Sequence, residues 1–152
     1  MTATTTAVRR FWRTVAVAGL AIGAREAGAQ ISVSGSPATM KVTAAVAGAA
    51  PAAVSNAATT YTLSSNPAGH FTITASLNSP MPAGVTLTID LAASRGTSAG
   101  VVTLSTVAQS VVTGITKKMN GQLITYNLSA TAAAGVVPLQ TRTVTLTQVN
   151  TP

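Results

Sequence analysis

The sequence of 152 residues has no cysteine, and only 7% of its residues are charged and 3% aromatic. Each shortage excludes something. Without cysteine there is no disulfide, and no thiolate metal or redox site can be built. The low charge rules out wholesale disorder, because a disordered chain is more charged and less apolar than the 47% found here. The scarcity of Glu, Lys and Leu rules out a coiled coil. No run of about 18 uncharged apolar residues occurs, so an ordinary transmembrane helix is excluded. What the chain has in abundance is 29 Ala and 26 Thr. Its length is that of one domain.

The first 29 residues differ from the rest. Arg9, Arg10 and Arg13 precede an apolar run from Thr14 to Ala24, and Ala27 and Ala29 then stand at the small-residue positions of an A-x-A cleavage site. A basic stretch, a short apolar helix and a small-residue cut site are the parts of a secretory signal peptide. The expected cut lies between Ala29 and Gln30, giving a leader over 1–29 and a single domain over 30–152. The competing reading, an amphipathic helix of the mature fold, needs a polar face that this run lacks. Arg9-Arg10-Phe11 also invites a twin-arginine reading, but Phe11 comes one place early for that pattern and the general secretory route is preferred. The expected location is therefore secreted, periplasmic or at the cell surface, with no stable membrane span after cleavage.

Cleavage redistributes the charge. The whole chain carries +7, of which the leader holds +3 through Arg9, Arg10, Arg13 and Arg25 against Glu26. The remainder holds Lys41, Arg95, Lys117, Lys118 and Arg142 against Asp90. Five scattered cations and three aromatics, Tyr61, Phe71 and Tyr126, do not make a nucleic-acid footprint, which needs a clustered basic face and stacking rings.

From Thr60 onward, apolar and polar residues alternate in runs: 60–63, 71–77, 85–91, 124–128 and 143–147. A period of two puts one face on a core and the other in water. Thr suits the outer face, since its branched Cβ favours extended backbone. Less regular runs at 40–46, 100–105 and 107–112 are expected to add strands. Asn66-Pro67-Ala68-Gly69, the proline-rich 78–84 and 94–98 read as turns or loops, and Asn120-Gly121 reads as a type I′ hairpin turn. The Ala-rich stretch 44–58 reads as a loop with one helical turn, and 130–135 is ambiguous. The sum is an all-β fold, an immunoglobulin-like antiparallel β-sandwich of seven to nine strands, with a barrel as the alternative.

Catalytic parts are scarce. After cleavage the chain holds one carboxylate side chain, Asp90, and one imidazole, His70. Two-carboxylate glycosidase chemistry is excluded for a monomer, and no three-ligand metal set can be assembled. If 70–77 and 84–90 paired as a hairpin, one register would set His70 opposite Asp90, either as a cross-strand polar pair or as the base and orienter of a serine triad. No Ser or oxyanion hole is marked, so no catalytic residue, cofactor or metal is assigned. Lys117 and Lys118 read as a solvated hairpin tip, with an anion or polysaccharide contact as the alternative. Asn127-Leu128-Ser129 matches a glycosylation sequon.

The C-terminal part, Ala132-Ala133-Ala134-Gly135 followed by Thr141-Arg142-Thr143-Val144-Thr145-Leu146-Thr147, resembles bacterial surface β-sandwich proteins of the spore-coat-U and fimbrial-subunit type, whose last strand alternates Thr and Val after a small-Gly turn. The resemblance implies a non-enzymatic structural subunit at the cell surface. Ile31-Ser32-Val33 followed by Pro37 suits an arm, with Ile31 and Val33 as its apolar teeth, that adds a strand to a neighbour's sheet edge or pairs within its own sandwich. Self-association or a surface partner protein is thus expected. The second reading is a small extracellular module binding carbohydrate or protein.

Overall fold

The computed structural model describes residues 31–43, 49–64 and 69–151. The leader, with Ala27, Ala29 and Gln30, lies outside the described residues, as do 44–48 and most of the Asn66-Pro67-Ala68-Gly69 turn. The described chain is all-β. Nine strands run β1 (Ile31–Ser34), β2 (Val54–Leu63), β3 (His70–Leu77), β4 (Val85–Leu91), β5 (Thr97–Ser98), β6 (Val102–Thr103), β7 (Gln109–Ile115), β8 (Met119–Ala130) and β9 (Val144–Thr151). They form two sheets, one ordered β1-β2-β8-β4-β6 and the other β5-β7-β3-β9. Every pairing is antiparallel. The helical content among the described residues is a single 3-10 turn, Ala132–Ala134, and no helix there is long and apolar enough to cross a membrane.

The alternating runs became strands because each buries one face. Tyr61, Leu63, Ile89, Leu91, Ile124 and Tyr126 of the first sheet meet Ile73, Ala75, Leu77, Val112 and Ile115 of the second in one core. The Thr residues between them stay on the outside, with Thr59, a buried exception, on β2. Two breaks in the alternation are bulges. Ile73 pairs with Val112 and Thr74 with Ser110, so Val111 is an extra residue and joins Val112 in the core. Tyr61 pairs with Gln122 and Leu63 with Met119, which leaves Asn120 and Gly121 opposite Thr62.

Several sequence expectations are corrected. Asn120-Gly121 is no hairpin turn: it sits in that bulge inside β8. Gly121 takes φ +57° there, and its N–H donates to Thr62 Oγ1 at 3.1 Å. The positive φ that suits a type I′ turn also suits a bulge glycine. The 3 residues between β7 and β8 change sheets instead of turning back within one. The stretch 44–58 is not all loop, since Val54 to Ala58 belong to β2, where Val54, Ser55 and Asn56 pair with β8. Residues 40–43 are not in a strand, and only Val102–Thr103 of 100–105 pairs. The 70–77 and 84–90 hairpin does not form either. The proline-rich link 78–84 carries the chain from one sheet to the other, where both runs can bury their apolar faces.

Candidate functional site

The two lateral sides of the sandwich are built differently. On one side β5 and β6 are two-residue strands, and the chain between them crosses from one sheet to the other. Ala99 N–H bonds Val111 O at 2.9 Å, and Leu104 N–H bonds Leu87 O at 2.9 Å, so this strap is tied to both sheets. On the other side stand β1 and β9, each pairing on one flank only among the described residues. β9 is a full eight-residue edge strand without a charged residue or proline. Its inward-facing Val144 and Leu146, and Ile31 of β1, pack against the core while remaining only partly buried.

The arm residues lie at this open side. Ile31 pairs with Leu63 and Val33 with Tyr61, which places β1 on its own sandwich as an edge strand. Val33 lies on the same face of β1 as Ile31, beside Tyr61, yet is 51% exposed. Two buried polar side chains here have no hydrogen-bond partner among the described residues: Thr59 Oγ1 on β2, and both amide atoms of Gln148 on β9. Nothing in the sequence marked either. Both occupy positions of the inward register where an apolar residue would be expected.

His70 and Asp90 are not brought together. His70 pairs with Thr151 in one sheet and Asp90 with Thr125 in the other. Their neighbours Ile73, Ile89 and Leu91 fill the core, so the alternation turns both titratable side chains outward, on opposite faces. Asp90 Oδ1 accepts a hydrogen bond from Ser98 Oγ at 3.4 Å and lines a shallow hollow of about 390 Å³ with Leu91, Ser98, Leu123 and Thr125. Among the described residues no three of His, Cys, Asp and Glu stand close enough to hold a metal. Asn127 of the sequon lies in β8, between β2 and β4, and its Oδ1 accepts from Ser55 Oγ at 3.4 Å.

The three aromatics face inward. Tyr61 is fully buried, Tyr126 nearly so, and Phe71 packs against the core. Tyr61 Oη donates to Ala92 O at 2.7 Å. Burial pushes the Tyr61 phenol up to about 12 and raises that of Tyr126 in the same direction.

Lys117 and Lys118 are joined by a cation that sequence reading left alone. Arg95, Thr116, Lys117 and Lys118 line an open hollow of about 490 Å³ at the end of the sandwich where β4 and β7 finish. Gly96 brings the two loops together. A Cβ on it would lie 2.5 Å from Thr113 O and 3.1 Å from Ile115 Cγ1, and its φ is +91°. Arg95 N–H is anchored on the Met119 sulfur at 3.3 Å. The signal in the sequence was Gly96 itself, inside Ser94-Arg95-Gly96-Thr97. No family model, curated protein or solved structure matches the chain.

Proposed function

We propose that the protein is a secreted, non-enzymatic structural subunit of a surface assembly, of the fimbrial-subunit type, joined to its neighbours by strand addition at the free edge of β9. The observation that carries this reading is the open side of the sandwich. The order β1-β2-β8-β4 follows strands A, B, E and D of an immunoglobulin constant domain, and β3-β9 follows C and F. In that scheme strand G covers F, and no described strand takes its place beside β9. A long, uncharged edge with half-buried apolar side chains is a template for another strand, and proteins that do not use such an edge blunt it with charge, proline or brevity. The short β5 and β6 on the opposite side are blunted in this way. The four-residue β1 is held by one short ladder, so its transfer to a neighbour's β9 breaks few bonds. The inward-facing aromatics speak against the carbohydrate module in its stacking form.

Negative-stain electron microscopy and sedimentation of the purified protein test the proposal. Filaments or concentration-dependent oligomers are expected. Deleting residues 30–36 should abolish them, and a synthetic peptide of residues 30–36 in excess should cap growth of the intact protein. An unchanged assembly state after deletion, together with no effect of the peptide, ends the strand-addition reading. A monomer at high concentration ends the subunit reading.

A further inference from the structure

We infer that the hollow formed by Arg95, Thr116, Lys117 and Lys118 is a binding site for an anionic polysaccharide, one that presents carboxylate or sulfate groups along an extended chain. The site is built from the β4–β5 and β7–β8 loops and uses no residue of β1 or β9, so it does not rest on the subunit reading.

Three of the five cations among the described residues converge here. They come from two separate loops, and Gly96, packed on Thr113 and Ile115, holds the first loop against the end of β7 from which the second leaves. Like charges brought together raise the local potential and attract a counter-ion. No carboxylate among the described residues lines the hollow. The one acidic residue among the described residues, Asp90, lines the other hollow and is engaged by Ser98. The Arg95 and Lys117 side chains have no hydrogen-bond or ion-pair partner among the described residues.

The lining decides the class of ligand. It contains no aromatic ring for a base to stack on and no apolar side chain to enter a lipid interface. Three cations are also too few to follow the phosphates of a duplex, where a specific protein makes about 6–10 such contacts. The guanidinium fork of Arg95, the Lys117 ammonium and the Thr116 hydroxyl match the carboxylates and hydroxyls of an acidic sugar chain, with the Lys118 charge beside them, in an open hollow that such a chain can cross.

The test is titration of the purified protein with polygalacturonate at low ionic strength. Neutral dextran, a DNA duplex and phosphatidylglycerol vesicles serve as the other arms. Polygalacturonate should bind with an affinity that falls steeply with salt, and dextran should not bind. The double variant Arg95→Gln/Lys117→Gln should weaken binding by about tenfold or more and reduce the salt slope by about 2, as expected for two lost ionic contacts. Arg95→Lys, which keeps the charge and loses the fork, should weaken binding less than the double variant does. Lys41→Gln, a cation elsewhere on the surface, should leave it within about twofold. All these side chains are exposed, so unchanged melting curves will show that the fold is intact. The inference is overturned if the double variant binds as the parent does, if Lys41→Gln loses as much, or if the duplex or the vesicles bind more tightly than polygalacturonate.

Discussion

The strap side and the open side of this sandwich solve the same problem in opposite ways. A sheet edge has unpaired backbone groups that attract other strands. On the strap side the edge is shortened: β5 and β6 are two residues each, and the crossing between them is bonded to both sheets. On the open side β9 runs eight residues with no strand on its outer flank among the described residues, and the apolar side chains behind it are only partly covered. The difference shows that edge protection is a property of each strand and not of a fold as a whole. One chain straps one side with two short strands and leaves the eight-residue β9 at the edge of the other.

The largest effect expected from this contrast is in the core. Leu91, on β4 beside the strap, is fully buried, whereas Leu146 on β9 is partly exposed. Leu91→Ala should cost about 2–5 kcal/mol and Leu146→Ala about half of that or less, because less apolar surface and a smaller cavity are at stake. Urea denaturation of both variants checks this. Equal losses would mean that the open side is packed as tightly as the other.

A phenol bridges toward the strap side and gives a pH test. Tyr61 reaches from β2 to Ala92, just past the end of β4, and its phenol is raised from 10.0 to about 12. The neutral form is the one favoured in the folded state. Its contribution is therefore present in full below the unfolded value near 10 and is lost as the pH rises toward 12, amounting to about 2–3 kcal/mol. Tyr126, raised by burial as well, acts with the same sign. Urea midpoints measured from neutral to strongly alkaline pH should fall through this window, and Tyr61→Phe should flatten the fall.

The glycines of the strap separate space from backbone conformation. Gly96 and Gly100 both have positive φ, but a Cβ on Gly96 meets Thr113 O at 2.5 Å, while one on Gly100 meets nothing within 4 Å. Gly100→Ala should cost about 1 kcal/mol through φ alone. Gly96→Ala should cost about 1–3 kcal/mol more as the β4–β5 loop is pushed off β7. It should also separate Arg95 from Lys117, so polygalacturonate binding should fall with it and not with Gly100→Ala.

The strand interiors were legible because period-two alternation is a direct image of a half-buried surface. All five of the strongest runs lie in strands, at 60–63, 71–77, 85–91, 124–128 and 143–147, with only Thr143 left outside. The pairing was not legible. Alternation says which face is buried but not which sheet a strand joins, and so β3 and β4 could be imagined as a hairpin that would have set His70 against Asp90. Asn120-Gly121 shows the same limit on a smaller scale, since it reports a positive φ and not the structure that uses it. The Ala-rich start of β2 was hidden because alanine has little strand preference of its own, and pairing with β8 decided the matter. The cationic hollow was half visible. Lys117 and Lys118 are adjacent in sequence, but Arg95 joins them through the fold alone.

The smallest expected effect concerns Gln148, whose amide atoms are buried at the open side without a partner among the described residues. A buried polar group left unpaired costs about 1–3 kcal/mol relative to a satisfied one. Met has nearly the same length and volume and no such requirement. Gln148→Met should therefore stabilise the isolated protein by about 1 kcal/mol, seen as a raised urea midpoint. Thr59→Val, on the other strand with an orphaned side chain, should act in the same direction. The two variants part company in assembly. Gln148 stands on the free edge strand, within reach of a strand added beside β9, whereas Thr59 stands on β2 between β1 and β8. If the neighbour's strand supplies the missing hydrogen bonds, Gln148→Met will stabilise the monomer and weaken the oligomer, and Thr59→Val will stabilise the monomer alone. Equal behaviour of the two in sedimentation would place the incoming strand out of reach of Gln148.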